Sequence, residues 1–225
     1  TPKWMHEGIV YQIFPDRFNR GETFNQSHEF DSWDKAVKNN SMLGGTIHGI
    51  TEKLDYLEEL GITVIYLNPI FMSPSNHKYD TTDYFEIDPN FGTKVDFKNL
   101  IDAAHKLGMK IVIDGVFNHC GRAFFAFQDV INKEEESRYK DWFHIYSFPI
   151  DSGFRKDGYH QIPSYDTFGY YGGMPKLNMQ NPEVREYIFK LTDYLTQEFG
   201  IDGWRLDASD EVSFDFWRAF RSHVK

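Results

Sequence analysis

The sequence of 225 residues predicts an α/β fold built on a parallel sheet. Short apolar runs rich in β-branched residues alternate with segments whose apolar residues recur at helical spacing, the pattern of strands joined by helical crossovers. Polar residues follow several of these runs, where the carboxyl ends of parallel strands would lie. The first run is not followed by a glycine-rich phosphate loop, which argues against a dinucleotide-binding fold.

Four strands are predicted from runs of β-branched and aromatic residues bounded by turn residues. The first run is stopped by Pro15, and the fourth ends at Asp207. The second run is a continuous β-branched run, as expected for a strand buried on both faces of a parallel sheet, and the third is also expected to be a buried strand. The predicted strands cover residues 8–14, 62–67, 110–116 and 202–207.

Four helices are predicted from apolar residues recurring at helical intervals. Thr51 is expected to cap the first helix, and Gly61, Gly108 and Gly200 are expected to end the first three. Pro182 suits the first turn of the third helix. The predicted helices cover residues 50–60, 95–107, 182–199 and 214–224.

The remaining segments are predicted to be irregular. Residues 19–40 are polar and could offer oxygens to calcium, but they lack a tight ligand spacing, so a solvated loop is favoured. Residues 71–91 are expected to form a second long loop, and the aromatic-rich segment after the third strand reads as an inserted subdomain. The expected divisions are residues 1–119 with three βα units, 120–176 as the insertion, and 177–225 with the third helix, fourth strand and fourth helix.

Two closures of the sheet fit this alternation, a doubly wound sheet and a (β/α)8 barrel of the TIM-barrel type. The polar clusters favour the barrel, whose chemistry lies at the carboxyl ends of the strands. These clusters contain Asp16, Arg17, Asn68, Asn118, His119, Arg205 and Asp207. Because a barrel needs eight units and roughly 250 residues, the four units found here are expected to be half of one.

Composition limits the classes of partner and site. The formal net charge of −10 argues against nucleic acid and anionic membrane surfaces as partners. Aromatic residues make up 17% of the chain; they suit sugar rings, although many are expected to be core. No apolar run is long enough to cross a bilayer. No signal peptide is visible, so a cytoplasmic location is expected, with secretion as the alternative.

A single cysteine, Cys120, excludes an internal disulfide and a multi-cysteine metal site. It lies beside His119 in a candidate active-site loop, so a thiol nucleophile has to be considered. No Cys-His signature supports that chemistry, and it is not expected here.

Arg205 and Asp207 are two residues apart, which places both side chains on one face of the predicted fourth strand. The guanidinium would lower the pKa of the carboxyl group and keep it ionised. An ionised carboxylate at a strand end suits a covalent nucleophile. An ordinary Arg–Asp pair at the end of a strand fits the same pattern.

Five collinear motifs resemble the α-amylase family of glycoside hydrolases, family 13. Asp-Gly-Val-Phe-Asn-His at 114–119 and Gly-Trp-Arg-Leu-Asp at 203–207 resemble its first and second signatures. Met-Pro-Lys-Leu-Asn at 174–178 looks like the segment marking the neopullulanase, cyclomaltodextrinase and maltogenic amylase branch. Tyr-Gln-Ile-Phe-Pro-Asp-Arg-Phe at 11–18 and His-Lys-Tyr-Asp at 77–80 fit that branch.

The resemblance implies a retaining hydrolase of α-1,4 and α-1,6 glucosidic bonds in cyclodextrins, pullulan and maltooligosaccharides. Asp207 would form the covalent glycosyl-enzyme and Arg205 would hydrogen-bond it. The insertion would be the family's subdomain B. A transglycosylase, and a non-catalytic amylase-like module that binds glucan or protein, are the alternatives.

The resemblance also implies substrate-binding residues. His77 and His119 would bind hydroxyls of the sugar being cleaved, and Tyr79 would stack on its ring. Asp114 and Asn118 would shape the floor of the site. From the residues alone, each of these could instead be structural, Asp114 as an acid bonded to neighbouring backbone. No cofactor is expected to be required; calcium, supported by Asn118 as in some family members, is the alternative.

The family's general acid, a Glu after the fifth strand, and a His-Asp pair after the seventh are expected to lie beyond these residues. Glu211, four residues after Asp207, is not expected to replace that acid. Retaining hydrolysis needs two carboxyl groups, so the 225 residues alone are expected to be close to inactive. The missing half of the barrel is an expected partner, and the unpaired strand edges favour a homodimer or aggregation.

Overall fold

The structure is a computed structural model that describes residues 2–22, 30–153 and 162–225. Six strands lie within these ranges: β1 (Val10–Ile13), β2 (Val64–Leu67), β3 (Phe71–Met72), β4 (Asp83–Ile87), β5 (Lys110–Gly115) and β6 (Gly203–Leu206). Seven α-helices accompany them: α1 (Lys3–Glu7), α2 (Ile47–Thr51), α3 (Leu54–Glu59), α4 (Lys94–Lys106), α5 (Phe125–Lys133), α6 (Pro182–Tyr194) and α7 (Phe214–His223).

The main sheet has four strands in the order β1-β2-β5-β6. β1 pairs with β2 and β2 with β5 in parallel, with Val10 opposite Val64 and Val64 opposite Lys110. The predicted α/β fold with a parallel sheet is therefore confirmed. The expectation that residues 71–91 are wholly irregular is wrong, because β3 and β4 form a two-stranded sheet there.

The chain divides into two compact units. The first comprises Thr1–Lys78, Phe85–Gly115 and Leu195–Arg205. Its core is made of fully buried aliphatic residues on β2 and β5, together with the apolar face of α4. Thr93 and Asp96 form a capping box at the start of α4, which satisfies backbone N–H groups that a helix start leaves unpaired.

The predicted first helix is interrupted. It forms as α2 and α3, and α2 is capped by Thr46, whose side chain accepts a hydrogen bond from the Gly49 N–H. The expected cap at Thr51 is wrong, since that hydroxyl instead donates to the Ile47 carbonyl inside α2. The predicted third helix also changes type, because α6 ends at Tyr194 and a π-helical turn, Leu195–Phe199, continues it.

Asp202 anchors the amino-terminal ends of β5 and β6 within the first unit. Its carboxylate accepts the Ile111 N–H at 2.9 Å and pairs with Lys110 Nζ at 2.9 Å and His105 Nε2 at 2.6 Å. Burial raises the pKa of Asp202, but these bonds outweigh it and hold the pKa below its usual value. One ionised carboxylate therefore ties together two strands and the end of α4.

The second unit comprises Tyr79–Tyr84, Val116–Tyr194 and Leu206–Lys225. Its core is strongly aromatic, with edge-to-face contacts among Tyr84, Phe124 and Tyr187. The Tyr84 hydroxyl lies 2.8 Å from the carbonyl oxygens of Val116 and His119. Much of the aromatic content is thus core, as the sequence suggested for part of it; Tyr159 and residues 23–29 of the predicted polar loop lie outside the described residues.

Within the described ranges, no helix combines the length and the hydropathy needed to span a membrane.

Candidate active site

Asp114 lies near the carboxyl end of β5 in the first unit, with its side chain fully buried. Tyr66 Oη donates to Asp114 Oδ2 at 2.5 Å. Arg205 Nη1 donates to both carboxylate oxygens, at 3.1 and 3.2 Å, and its guanidinium stands 6.0 Å from the centre of the Tyr66 ring. Three strands of one sheet therefore each contribute one member of an Asp114–Tyr66–Arg205 cluster.

The same unit holds His77, which is half-buried in the turn before β4. Its ring Nδ1 lies 3.2 Å from the Ser75 hydroxyl oxygen. Nearby in sequence, Asn68 follows β2 and its side-chain carbonyl accepts a bond of 2.8 Å from Gln12 Nε2. A polar side chain, Asn68, thus follows the end of β2, where the sequence predicted it.

Asp207 belongs to the second unit and comes immediately after β6. The residue is half-buried, so it is neither packed away in the core nor fully solvated. Ala208 follows with φ of 45°, a left-handed conformation in which non-glycine residues are uncommon. This sharp turn follows directly after the carboxylate at the end of the strand.

His119 is fully buried in the second unit, and its ring stacks on Phe168 with centroids 4.7 Å apart. Burial lowers the pKa of His119 to about 4, against the opposing effect of the negative charges on Asp207 and Glu211. The imidazole is therefore neutral between pH 5 and 8. Its Nε2 atom has no hydrogen-bond partner among the described residues.

Asn118, Lys176 and Glu211 form a second polar cluster in this unit. Glu211 Oε2 accepts bonds from Asn118 Nδ2 at 3.2 Å and from Lys176 Nζ at 3.1 Å. All three line a cleft of about 190 Å³ that also includes His144 and Asp166. Glu211 is thus engaged in an ion pair.

This cluster bears on the calcium alternative. The buried Asn118 Oδ1 has no hydrogen-bond partner among the described residues. Glu211 is paired with the Lys176 ammonium, and the described ranges contain no group of three or more His, Cys, Asp or Glu side chains arranged to hold a metal. Calcium at Asn118 stays a prediction.

Cys120 is fully buried, and burial raises the pKa of its thiol well above its ordinary value. A neutral, buried thiol is a poor nucleophile. This agrees with the expectation that Cys120 takes no part in the chemistry.

The structure brings Asp114 together with Arg205 in the first unit, and Asp207 within electrostatic reach of His119 in the second. The predicted hydrogen bond between Arg205 and Asp207 and the stacking role of the half-buried Tyr79 stay predictions. Sequence reasoning missed the partners Tyr66, Lys176 and Phe168. Lys176 lies within the motif at 174–178, and this membership is the one sequence feature that pointed to it.

A profile of the α-amylase catalytic domain matches residues 12–219. The chain belongs to the α-amylase family of glycoside hydrolases. It is 48% identical over its whole length to neopullulanase 2 from Thermoactinomyces vulgaris and to a cyclomaltodextrinase from Bacillus sp, of which it covers 38% and 39%. The chain therefore spans less than half the length of these curated relatives.

Among solved α-amylase family structures, the chain is similar to the cyclic α-maltosyl-(1→6)-maltose hydrolase from Arthrobacter globiformis. The TM-score is 0.92 at 38% identity, covering 100% of this chain and 49% of the other. The α/β fold with a parallel sheet thus matches barrel-type amylase structures, and this chain is part of such a barrel.

Proposed function

We propose that the protein containing this chain hydrolyses α-1,4 and α-1,6 glucosidic bonds with retention, acting on cyclodextrins, pullulan or maltooligosaccharides. The support comes from membership of the α-amylase family and from relatives named as neopullulanase and cyclomaltodextrinase. The observation that carries the proposal is the position of Asp207, half-buried directly after β6 and electrostatically coupled to a buried neutral histidine.

In the proposed first step, an Asp207 carboxylate oxygen attacks the anomeric carbon of the sugar. A bond forms between that oxygen and the anomeric carbon while the bond to the leaving sugar oxygen breaks, and a general acid protonates the leaving oxygen. Water then attacks the same carbon and releases the carboxylate, so two inversions give net retention. Transglycosylation would differ only in using a sugar hydroxyl in place of water.

His119 is proposed to bind a hydroxyl of the sugar being cleaved. A neutral imidazole carries one donor and one acceptor nitrogen, which suits an uncharged hydroxyl. The low pKa of His119 keeps the ring neutral across the physiological range, and its Nε2 atom lacks a partner among the described residues. His77 and Tyr79 are proposed to contact the same sugar.

In the first unit, Asp114 is proposed to orient the guanidinium of Arg205. Its carboxylate is held by Tyr66 and accepts from Arg205 Nη1 with both oxygens, which fixes the guanidinium in one place. An oriented guanidinium is a directional donor for a carboxylate.

A polypeptide limited to these 225 residues is proposed to be close to inactive. Glu211 does not supply the missing acid, because its carboxylate is paired with Lys176 and bonded to Asn118. With one carboxyl group available for a reaction that uses two, acid assistance to the leaving group is lost.

The decisive experiment replaces Asp207 in the longest native polypeptide that contains these residues. Asp207→Asn should lower kcat for cyclodextrin on the order of 10⁴-fold, as expected for removing a nucleophile. Asp210→Asn, an exposed carboxylate in the following turn, is the matched control and should retain activity. Azide should rescue Asp207→Ala on a substrate with an activated leaving group, giving a glycosyl azide of inverted anomeric configuration.

Other outcomes select other functions. Activity that survives Asp207→Asn would refute the nucleophile. Calorimetric binding of maltooligosaccharide that survives Asp207→Asn, with no activity in any longer polypeptide, would identify a non-catalytic binding module. Robust cyclodextrin hydrolysis by the 225 residues alone would refute the requirement for a second carboxyl group outside them.

A further inference from the structure

Lys78, between His77 and Tyr79, is almost completely buried, with a side chain only 1% exposed. Lysine is almost never this buried unless its charge is paired. Its φ of 62° is also left-handed, a conformation that costs a residue with a Cβ atom and persists only where its surroundings impose it. Both features show that the surrounding structure fixes this residue.

The Lys78 ammonium is held by contacts within the first unit. It pairs with Asp88 Oδ2 at 2.7 Å, donates to the Ser73 carbonyl at 2.9 Å, and lies 5.1 Å from the centre of the Phe91 ring. Asp88 Oδ2 also accepts the Ser73 N–H at 3.1 Å. Both charges of the buried pair therefore hold the backbone of Ser73.

A chain of hydroxyl groups leads from this anchor to His77. Ser73 Oγ lies 3.3 Å from Ser75 Oγ, which lies 3.2 Å from His77 Nδ1. The Lys78 N–H also donates to Ser75 Oγ at 3.0 Å. The Ser75 hydroxyl is thus held by the Ser73 hydroxyl and by the Lys78 N–H, and it also contacts the His77 ring.

We propose that Lys78 and Asp88 are positioning residues that act through Ser73 and Ser75 to hold the His77 ring in one orientation. The inference deepens the proposed function, because it rests on His77 binding the sugar. A half-buried ring on a turn without this anchor would sample several rotamers. Binding the substrate would then cost the conformational entropy of fixing the ring in one of them. The buried pair removes that cost before substrate arrives.

The first test measures kcat and KM for a cyclodextrin in the longest native polypeptide containing these residues. Ser75→Ala should lower kcat/KM about tenfold, a coupling typical of residues in one hydrogen-bond network. Ser75→Thr, which keeps the hydroxyl, should recover most of that loss. In a His77→Ala background, Ser75→Ala should have no further effect, since the ring it orients is absent.

Asp88→Asn should lower kcat/KM more strongly than Ser75→Ala, on the order of a hundredfold, because it removes the charge that anchors the turn. Lys110→Met is the matched control. It breaks a different, partly buried Lys–Asp pair of the same unit, with Asp202, and should lower the urea midpoint while leaving kcat/KM unchanged. If Asp88→Asn fails to fold, the Ser75 and His77 series decides alone.

Additive effects of Ser75→Ala and His77→Ala would overturn this inference while leaving the proposed function intact. So would failure of Ser75→Thr to recover activity. Wild-type kcat/KM in His77→Ala would overturn it as well, by removing the contact that it depends on. The proposed function is tested separately by Asp207→Asn.

Discussion

The ring of Phe168 lies almost flat on the ring of His119, with centroids 4.7 Å apart and planes inclined by 16°. Phe168 begins a short 3₁₀ turn in which Gly169 and Tyr170 both have positive φ. The turn thus presents an aromatic face to a histidine proposed to bind substrate, and this contact contributes to the burial that sets the pKa of His119.

Replacing Phe168 should change how His119 titrates. Phe168→Ala exposes the imidazole, and since burial is the main cause of its low pKa, the pKa should rise from about 4 toward 6.5. An NMR titration of the histidine ring protons measures this directly. Tyr170→Ala, in the same turn but highly exposed, should leave the pKa unchanged. An equal shift in both variants would contradict the role of Phe168.

His119 also makes stability depend on pH. The unfolded chain binds the imidazole proton with a pKa near 6.5 and the folded chain with a pKa of about 4, so protonation favours unfolding. The free energy of unfolding should fall as the pH is lowered from 6.5 to 4, by about 3 kcal/mol in total from this residue. Urea unfolding across that range should show a shallower slope for His119→Gln. The exposed control His6→Gln should keep the wild-type slope.

The ion pair between Lys176 and Glu211 predicts that this cluster does not need calcium. A chelator should leave the thermal midpoint of the protein unchanged, because an internal ammonium already neutralises this site. Lys176→Met should cost about 0.5 to 1 kcal/mol, the range for partly exposed pairs. Lys190→Met, in an exposed pair with Glu186, should cost less. A fall of the wild-type midpoint with chelator, reversed by calcium, would contradict this prediction.

The Asp114 cluster should contribute strongly to stability. Tyr66→Phe should cost about 1.5 kcal/mol, since it removes a hydrogen bond to a buried charged group. Asp114→Ala should cost about 2 kcal/mol because it leaves the Tyr66 hydroxyl without its buried acceptor. Urea unfolding measures both. The control Tyr56→Phe, at a half-exposed position on α3, should stay within about 0.5 kcal/mol of wild type.

Gly121 sits where two backbone segments of the second unit touch. A Cβ atom there would lie 2.2 Å from the Asp80 carbonyl oxygen, so Gly121→Ala must displace the segment that carries Tyr79 and Asp80. We expect a loss of about 2 kcal/mol, as for overpacking, together with a raised KM for maltooligosaccharide. At Gly203 the added atom would meet nothing closer than 3.6 Å, so Gly203→Ala should unfold at a higher urea concentration than Gly121→Ala.

The strands of the main sheet could be predicted because each carries its own signal. β2 and β5 are rich in β-branched residues and mostly buried in the structure, and such a composition favours an extended strand. The predicted strands are longer than the observed ones by a few residues at their ends, where pairing partners decide the boundary.

The break between α2 and α3 could not be predicted, because its cause is distant in sequence. A Cβ atom at Gly49 would lie 2.1 Å from the Asn19 carbonyl oxygen, so α2 packs directly against backbone from another part of the first unit. Apolar periodicity reports only the face that is buried, and it continues across the break. Thr46 was therefore overlooked as the capping residue.

The site was predicted in part. Its motif residues could be named, but their partners could not, since Tyr66, Phe168 and Lys176 meet Asp114, His119 and Glu211 only through folding. The pairing of Arg205 with Asp114 illustrates this: spacing along one strand could suggest only Asp207 as a partner, and Asp114 on the neighbouring strand is a further partner that the spacing could not reveal.

Asp202 and its partners His105 and Lys110 join β5 and β6 at the ends opposite Asp114 and Arg205. Substitutions that strengthen the Asp202 anchor can consequently raise resistance to heat while leaving the Asp114–Tyr66–Arg205 cluster, at the opposite ends of these strands, unchanged.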